Sequence, residues 1–570
     1  MSRKVLLDIV WNSPDFQYVY MLPPTHPTSP WRLDFFVNPP SNEWINLKAT
    51  GAYTKEEILR HQTLIGILSE DAKRYPTDPG IRWKEMNVLW NRSSDMISNL
   101  RIKEKYIEAM YEIGLEQGVI YFETRKNIYE EIYVLDPSPQ YNSTYGRHYL
   151  NPMGEEEVGH IVRLSRNFAK KHPEFVGHKR ISSAQRRSSF KKFNFYMENV
   201  VRMHNLYPDH VIGFDAVGEE DAGYSKLHYI SEWLKLFNST TGKPRVPLYL
   251  HSAETNWPDD LMASDFPDDL VSSLTNTYES ILLSSSRIGH GHGFIKHPYL
   301  LTILKERQIP IEICVVSNQL LGFTADIRNH PAQHFIRYGI PIVLGADDPG
   351  TFGYDNFTID WYEAFMAWGL DLDGLKTIAV NSLVYSGLSE EDKTDAIELK
   401  WRPMWDRYIM HMYEAACARD YVAEAAREDR VPTVARILPL EGAKSGTTKV
   451  HILGRNFESG ICRDVACRFG DQLSRNAVYI SNQHILCESP EFFDEQERTV
   501  EVFLALDGTN FISTRFNFTY KYDAITIPTT PPTADFDNKP ASLSAGHKLL
   551  VHERLIILFH IVYIFTKMSF

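Results

Sequence analysis

Between residues 118 and 349 the chain repeats one pattern seven times: a short run rich in Val, Ile, Phe and Tyr, a polar or glycine-bearing turn, then a helical stretch. The runs are GVIYFETR (118–125), FVGHKRIS (175–182), VIGFDAVG (211–218), VPLYLHSAE (246–254), SRIGHG (286–291), PIEICVVSN (310–318) and PIVLGADDP (341–349). Their near-continuous hydrophobicity suits strands buried on both faces. Intervening segments such as DLVSSLTNTYESILLS and HPYLLTILKERQ place apolar residues three and four apart, the spacing of amphipathic helices. Strand and helix in alternation define a parallel α/β architecture, whose obvious closure is an eight-stranded (β/α)8 TIM barrel. The segment before residue 118 offers helices (TKEEILRHQTLIGILSEDAKR, RIKEKYIEAMYEIGLEQG) and a Pro-rich loop but no good parallel strand, so the strand lacking from the count is the first.

Residues 359 to 428 read as helices that close the barrel domain, after which the texture changes. From Val431 the chain is alternating and turn-rich (VACRFGD, AVYISNQHILCESP, TVEVFLALDGTNFISTRFNFTY), which predicts a small all-β sandwich over 431–522. The Thr/Pro-rich stretch at 523–546 reads as an extended stalk. Ser544-Ala545-Gly546, a mostly polar spacer and the apolar tail LIILFHIVYIFTKMSF have the layout of a glycolipid-anchor signal. Membrane attachment through the 547–570 tail is therefore one expectation, with a short membrane-associating helix and an artefact of gene prediction as alternatives. The domain scheme is a helical region at 1–117, the barrel with its C-terminal helices at 118–428, then sandwich, stalk and tail.

A net charge of -13 supplies no basic surface for a phosphate backbone, which argues against a nucleic-acid partner. Five cysteines in 570 residues exclude a disulfide scaffold, although Cys467 and Cys487 are a candidate bridge within the sandwich. Asn-x-Ser/Thr sequons at Asn91, Asn142, Asn238, Asn356 and Asn517 are compatible with secretion. The N-terminal MSRKVLLDIVWNSPDF has only a very short apolar run, broken by Asp8, and does not read as a convincing signal peptide.

Loops at the C-terminal ends of parallel barrel strands converge over one mouth, and four runs end there in chemically able groups. They are Asp215 to Glu219, His251-Ser252-Ala253-Glu254, Gly289-His290-Gly291-His292 and Asp347-Asp348. One buried His or Asp is ordinarily structural; four such groups at one strand end point to a site. Hydrolytic deamination of a purine needs a metal to acidify water, a base, an acid for the ring and donors that hold the heterocycle. His251 and Asp347 fit as metal ligands, Glu254 as the proton donor and His290 as the base. Asp348 and the backbone of Gly218 fit as contacts to the heterocycle. His292 reads as a pocket-wall or solvated residue rather than a ligand, and His297 and Cys314 read as structural.

The strings HSAETNW, RIGHG, EICVVSNQ, ADDP, GFDAVGEED and NSLVYSGLSEEDK resemble the secreted adenosine deaminase-related growth factor family, within the adenosine and AMP deaminase group of amidohydrolases. The pattern Pro432, Pro439, Gly442, Gly446-Thr447 and Gly454-Arg455-Asn456-Phe457 resembles the opening of an IPT/TIG domain. The first resemblance implies a Zn2+ barrel enzyme that converts adenosine or 2′-deoxyadenosine to inosine or 2′-deoxyinosine and ammonia. It assigns His251 and Asp347 to the zinc, Glu254 to proton donation, His290 to the base, and Gly218 and Asp348 to the purine. It also places Trp257 and Glu123 in the nucleoside pocket. A homodimer, a protein partner for the IPT/TIG-like domain and an extracellular or cell-surface location are further implications.

Several positions depart from the family pattern. HSAE stands where HAGE is usual, Cys314-Val315 where Cys-Pro is usual, and Glu219 where His is expected. The family's His-x-His pair at the end of the first strand has no counterpart here, and two further His ligands are expected upstream of Met1. The competing readings are a catalytically dead binding or adhesion protein acting through the barrel scaffold and the IPT/TIG-like domain, and a deaminase of AMP.

Overall fold

The computed structural model describes residues 3–522 except 24–31, 65–78, 128–130, 151–152, 257–274, 355, 425–431, 458–464, 475 and 494–495. The stalk, the apolar tail, Trp257 and Cys462 lie outside the described residues. The chain divides into two compact units, Met1–Pro403 and Met404–Phe570. No helix among the described residues is long and apolar enough to cross a membrane.

In the first unit, β1 (Val19–Leu22), β2 (Arg32–Phe35) and β3 (Ile45–Asn46) form an antiparallel sheet in the order β2-β1-β3. These antiparallel strands add to the helices and loop expected for residues 1–117. The strands are two to four residues long, too short for periodicity to register, and are stabilised by packing Val19, Met21, Leu33 and Phe35 against Leu6, Leu7 and Val10 of the helix Arg3–Trp11. Then come β4 (Tyr121–Lys126), the hairpin of β5 (Tyr133–Leu135) and β6 (Arg147–Tyr149), and the remaining barrel strands: β7 (Gly177–Gln185), β8 (Val211–Val217), β9 (Tyr249–Ser252), β10 (Arg287–His290), β11 (Ile311–Ile313) and β12 (Ile342–Leu344).

All seven predicted strands form, and they pair in parallel in sequence order. β4-β7-β8 and β9-β10-β11-β12 are continuous ladders. A parallel bridge between Phe214 and Leu248 joins β8 to β9. Helices cover the outer face. Phe214, Val211, Leu248 and Leu250 pack on Phe193, Trp233 and Val200 on one side, while Ile288, Ile311, Ile313 and Ile342 pack on Leu300, Leu304, Phe335 and Trp368 on the other. Each such large side chain contributes about 1.5–3 kcal/mol by leaving water.

The interior is filled differently. Arg125 donates through Nε to Asp215 at 2.8 Å and through Nη2 to both oxygens of Glu312 at 2.8 and 2.6 Å. Arg287 donates through Nε to Glu312 at 2.6 Å, pairs with Glu123, and lies 4.2 Å above the Tyr249 ring. An ionic layer thus replaces the usual branched apolar layers of a barrel. Although burial alone would raise it, the carboxyl of Glu312 is held far below the ordinary range by the two guanidiniums.

The second unit contains the predicted sandwich: β13 (Thr433–Leu438), β14 (Glu441–Ala443), β15 (Lys449–Arg455), β16 (Ala466–Phe469), β17 (Gln472–Leu473), β18 (Ala477–Ser481), β19 (His484–Glu488), β20 (Arg498–Ala505) and β21 (Ile512–Lys521). One sheet runs β13-β15-β19-β18 and the other β14-β21-β20-β16-β17. The candidate bridge Cys467–Cys487 is formed, tying β16 of one sheet to β19 of the other. Val450, Ile452, Phe469, Ile485, Val502, Leu504 and Phe518 fill the space between the sheets.

Candidate active site

Three barrel strands leave the sheet through left-handed backbone at non-glycine residues: Ala253 (φ 60°) after β9, His290 (φ 59°) at the end of β10 and Asp347 (φ 53°) after β12. The described chain has nine such residues, so a third of them sit at one mouth. Left-handed backbone costs an L-residue about 1–2 kcal/mol and persists only where surrounding bonds over-determine it, a concentration typical of functional sites.

His251, on β9, receives two anchors from the β8 carboxylate of Asp215: its backbone N–H donates at 2.8 Å and its ring Nδ1–H at 2.5 Å. Asp215 is wholly buried. Burial alone would raise its pKa, but His251 and Arg125 outweigh that and hold it low. A carboxylate on Nδ1 fixes the tautomer and leaves the Nε2 lone pair of His251 free, the usual preparation of a metal-binding imidazole. Gly289 lies opposite on β10, where a Cβ would come within 3.0 Å of the ring, so a side chain would displace it. Ligand atoms of His251, Glu254 and His290 lie within 4.8 Å of one another, as do those of His290, Cys314 and Asp347. Asp347 is exposed at the open side of this cluster; the others are buried or half-buried. A backed imidazole and a carboxylate are donors suited to Zn2+, although catalytic zinc usually has three protein ligands.

Glu254 is 3% exposed, and its pKa is pushed well above the carboxylate range by burial first, then by Asp347 and Glu220. Its Oε1 is 3.5 Å from His290 Nε2. The state of the His290 ring follows from a chain of hydrogen bonds anchored at a backbone amide. The Ala332 N–H donates to His330 Nδ1 at 3.1 Å, so neutral His330 carries its proton on Nε2 and donates to Asn318 Oδ1 at 2.9 Å. Asn318 Nδ2 therefore faces His290 Nδ1, at 3.2 Å, and donates to it. Burial holds the pKa of His290 down at about 4, with His251 adding to the effect, so the neutral ring presents Nε2–H toward Glu254.

The remaining expected residues are placed as follows. Asp348 accepts from Trp90 Nε1 at 3.0 Å, and burial together with Asp347 pushes its pKa to about 7. Gly218 has φ 99°, and a Cβ there would lie 2.5 Å from Gln185 Oε1, so only glycine fits this strand end. Glu123 is set apart from the cluster. Two residues before Arg125 on β4, it is one interior layer nearer the N-terminal end of the sheet. There it accepts from Tyr121 Oη at 2.8 Å and Gly387 N–H at 2.6 Å and pairs with Arg287. His292 is buried beside Phe323, not solvated.

Sequence reasoning did not single out Asn318, His330, Trp90, Arg186 or Glu220. Glu220 is wholly buried and binds the backbone of the turn that carries Glu254. Burial alone would raise its pKa, but Arg186, Lys226 and those two amides hold it below the ordinary value. Acidic residues adjoining a strand end, in GFDAVGEED, were the available signal.

A backed imidazole, a buried carboxyl of raised pKa and an acid pair at the C-terminal ends of parallel strands have the makings of a metal-assisted hydrolytic site of the barrel type. Sequence comparison narrows that class. Residues 276–399 match the family described as Adenosine deaminase, and residues 432–520 match the IPT/TIG domain. The chain thus carries an adenosine deaminase domain followed by an IPT/TIG domain.

Adenosine deaminase 2 of Sus scrofa is 32% identical over 358 residues, covering 62% of this chain and 64% of that protein. Adenosine deaminase 2 of Homo sapiens is 30% identical over 357 residues with the same coverage. Adenosine deaminase of Phlebotomus duboscqi is 31% identical over 350 residues, covering 59% of this chain and 61% of that protein. The chain therefore spans a little under two thirds of the length of these relatives. Among solved structures, adenine deaminase from Arthrobacter aurescens aligns with a TM-score of 0.42 at 16% identity, over 63% of this chain and 93% of that one.

Proposed function

We propose that the barrel catalyses zinc-dependent hydrolytic deamination of adenosine or 2′-deoxyadenosine to inosine or 2′-deoxyinosine and ammonia. The observation that carries this reading is the pairing of a protonated Glu254 with the Nε2–H of His290 at 3.5 Å, beside the free Nε2 of His251. His251 Nε2 and the Asp347 carboxylate would hold the zinc. When bound, the ion supplies a water acid enough to lose its proton near neutral pH.

The chain's own groups do the rest. Glu254 would deliver a proton to a ring nitrogen of the purine; burial, with Asp347 and Glu220, raises its pKa well above the carboxylate range and so favours the protonated form. The Nε2–H of His290 orients the attacking oxygen; removal of that oxygen's proton falls to a neighbouring carboxylate once the ring is locked by Asn318. This modifies the base role expected for His290. Asp348 with its raised pKa would share a hydrogen bond with the five-membered ring, and the Gly218 amide would approach the base edge. Glu123 supports the barrel interior.

An extracellular or cell-surface setting is supported by the Cys467–Cys487 bridge and by the exposure of the sequon residues Asn142, Asn238 and Asn517. The IPT/TIG domain would engage a protein partner. The two-donor metal set within this chain favours the second reading, a binding protein without turnover. Incubation of the zinc-loaded protein with adenosine in 18O-labelled water separates them. Inosine carrying one labelled oxygen supports the deaminase; unchanged adenosine supports the binding protein.

A further inference from the structure

We propose that Glu220 is a positioning residue that holds the 253–254 turn in its left-handed form and so aims Glu254; the proposal rests on the deaminase reading. Ala253 occupies φ 60° with a side chain that disfavours it, so something must hold the turn there. The Glu220 carboxylate does so from both oxygens. Oε1 accepts from the Ala253 N–H at 3.0 Å and from Asn276 Nδ2 at 3.0 Å. Oε2 accepts from the Glu254 N–H at 3.0 Å and faces Arg186 Nη2 at 3.4 Å.

Two successive amides on one carboxylate reproduce the anion-binding nest of an αL turn, with the anion supplied by the chain itself. The turn's carbonyls are held as well: Arg186 Nη2 donates to His251 O at 2.7 Å, Gly291 N–H to Ser252 O at 3.1 Å and Gly293 N–H to Ala253 O at 2.8 Å. Glu220 therefore acts on the backbone of Glu254, and among the described contacts it makes no hydrogen bond to the Glu254 carboxyl.

A glutamine keeps the shape of Glu220 but turns an amide N–H2 toward one of the two pairs of donors, so at least one clamp is lost. Glycine at 253 adopts φ 60° without strain and needs the clamp less. The test is a double-mutant cycle of wild type, Glu220→Gln, Ala253→Gly and the double variant in the zinc-loaded full-length protein, with kcat, KM, zinc content and amide exchange of peptides spanning 251–256.

Glu220→Gln is expected to lower kcat about 100-fold, the scale of an ångström-sized misplacement, with KM and zinc stoichiometry little changed. Its amide exchange over 251–256 should accelerate. Ala253→Gly should alter wild-type kcat by less than about 3-fold yet restore about 10-fold in the Glu220→Gln background, a non-additivity expected only of coupled residues. If Glu220→Gln does not fold, Glu220→Asp, which keeps the charge but falls short of one amide, takes its place with the same ordering. Additive effects, or unchanged exchange over 251–256, would overturn the proposal. Absence of turnover in the wild type would count against the deaminase reading, while the exchange measurements would still decide the clamp.

Discussion

The barrel interior and the sandwich core are filled on opposite principles. Between the two sheets of the sandwich lie Val450, Ile452, Phe469, Ile485, Val502, Leu504 and Phe518, with a disulfide joining the sheets. Inside the barrel lie Arg125, Arg287, Asp215, Glu312 and Glu123. Apolar filling gains stability with every methylene. Buried ion pairs roughly break even, because desolvation offsets attraction, but they punish the removal of one partner. The sandwich is therefore built for stability. The barrel accepts buried charge and left-handed backbone, and Asp215 shows what it obtains: one carboxylate tied to the ionic layer through Arg125 and to the site through His251.

The comparison can be broken by mutation. Glu312→Ala leaves the buried Arg287 and half-buried Arg125 guanidiniums short of their shared partner and should cost about 3 kcal/mol or more, read as a fall in the denaturation midpoint of the barrel. A loss below about 1 kcal/mol would mean the layer is loosely coupled. In the sandwich, Cys467→Ala with Cys487→Ala opens a 20-residue span and should cost about 3 kcal/mol in that domain, with adenosine turnover unaffected. Asp215→Asn keeps the shape but removes the charge behind His251, and should weaken zinc binding about 10–100-fold in competition with a chelator.

A pH-dependent effect concerns Lys226, which is 2% exposed and whose Nζ has no hydrogen-bond partner among the described residues. Burial, helped by Arg186, lowers its pKa from 10.5 to about 7. Between those values the unfolded chain holds a proton that the folded chain lacks. Folded stability from this group therefore rises as pH increases from 7 toward 10.5, by at most about 1.4 kcal/mol per unit. Lys226→Met should flatten that rise; an unchanged slope would place the lysine in water.

The contrast also explains what the sequence disclosed. Periodicity marked all seven parallel strands because their outward faces are continuously apolar, and it marked the sandwich because its strands alternate. His251, Glu254, His290 and Asp347, which the structure brings together, could be picked out in the sequence because strand ends converge whatever their loops do. Contacts within the site could not. Asp215 meets His251 across 36 residues, Glu220 meets Glu254 across 34 and Asn318 meets His290 across 28, and no local pattern encodes such meetings. β7 extends to Gln185, beyond the expected boundary at 182, because its His, Lys, Arg and Ser side chains are buried where polar letters suggest an exposed turn. The partners of Glu123 were hidden for the same reason: it meets Arg287 across 164 residues and Gly387 across 264.

The central claim, that a protonated Glu254 held among His290, His251 and Asp347 makes this barrel a deaminase, is tested most directly by adenosine turnover in the zinc-loaded full-length protein and its Glu254→Gln variant. Loss of the general acid should lower kcat by about 10³, with zinc content and melting temperature unchanged. Equal rates in the two proteins, or a wild type that binds zinc and leaves adenosine intact, would contradict it.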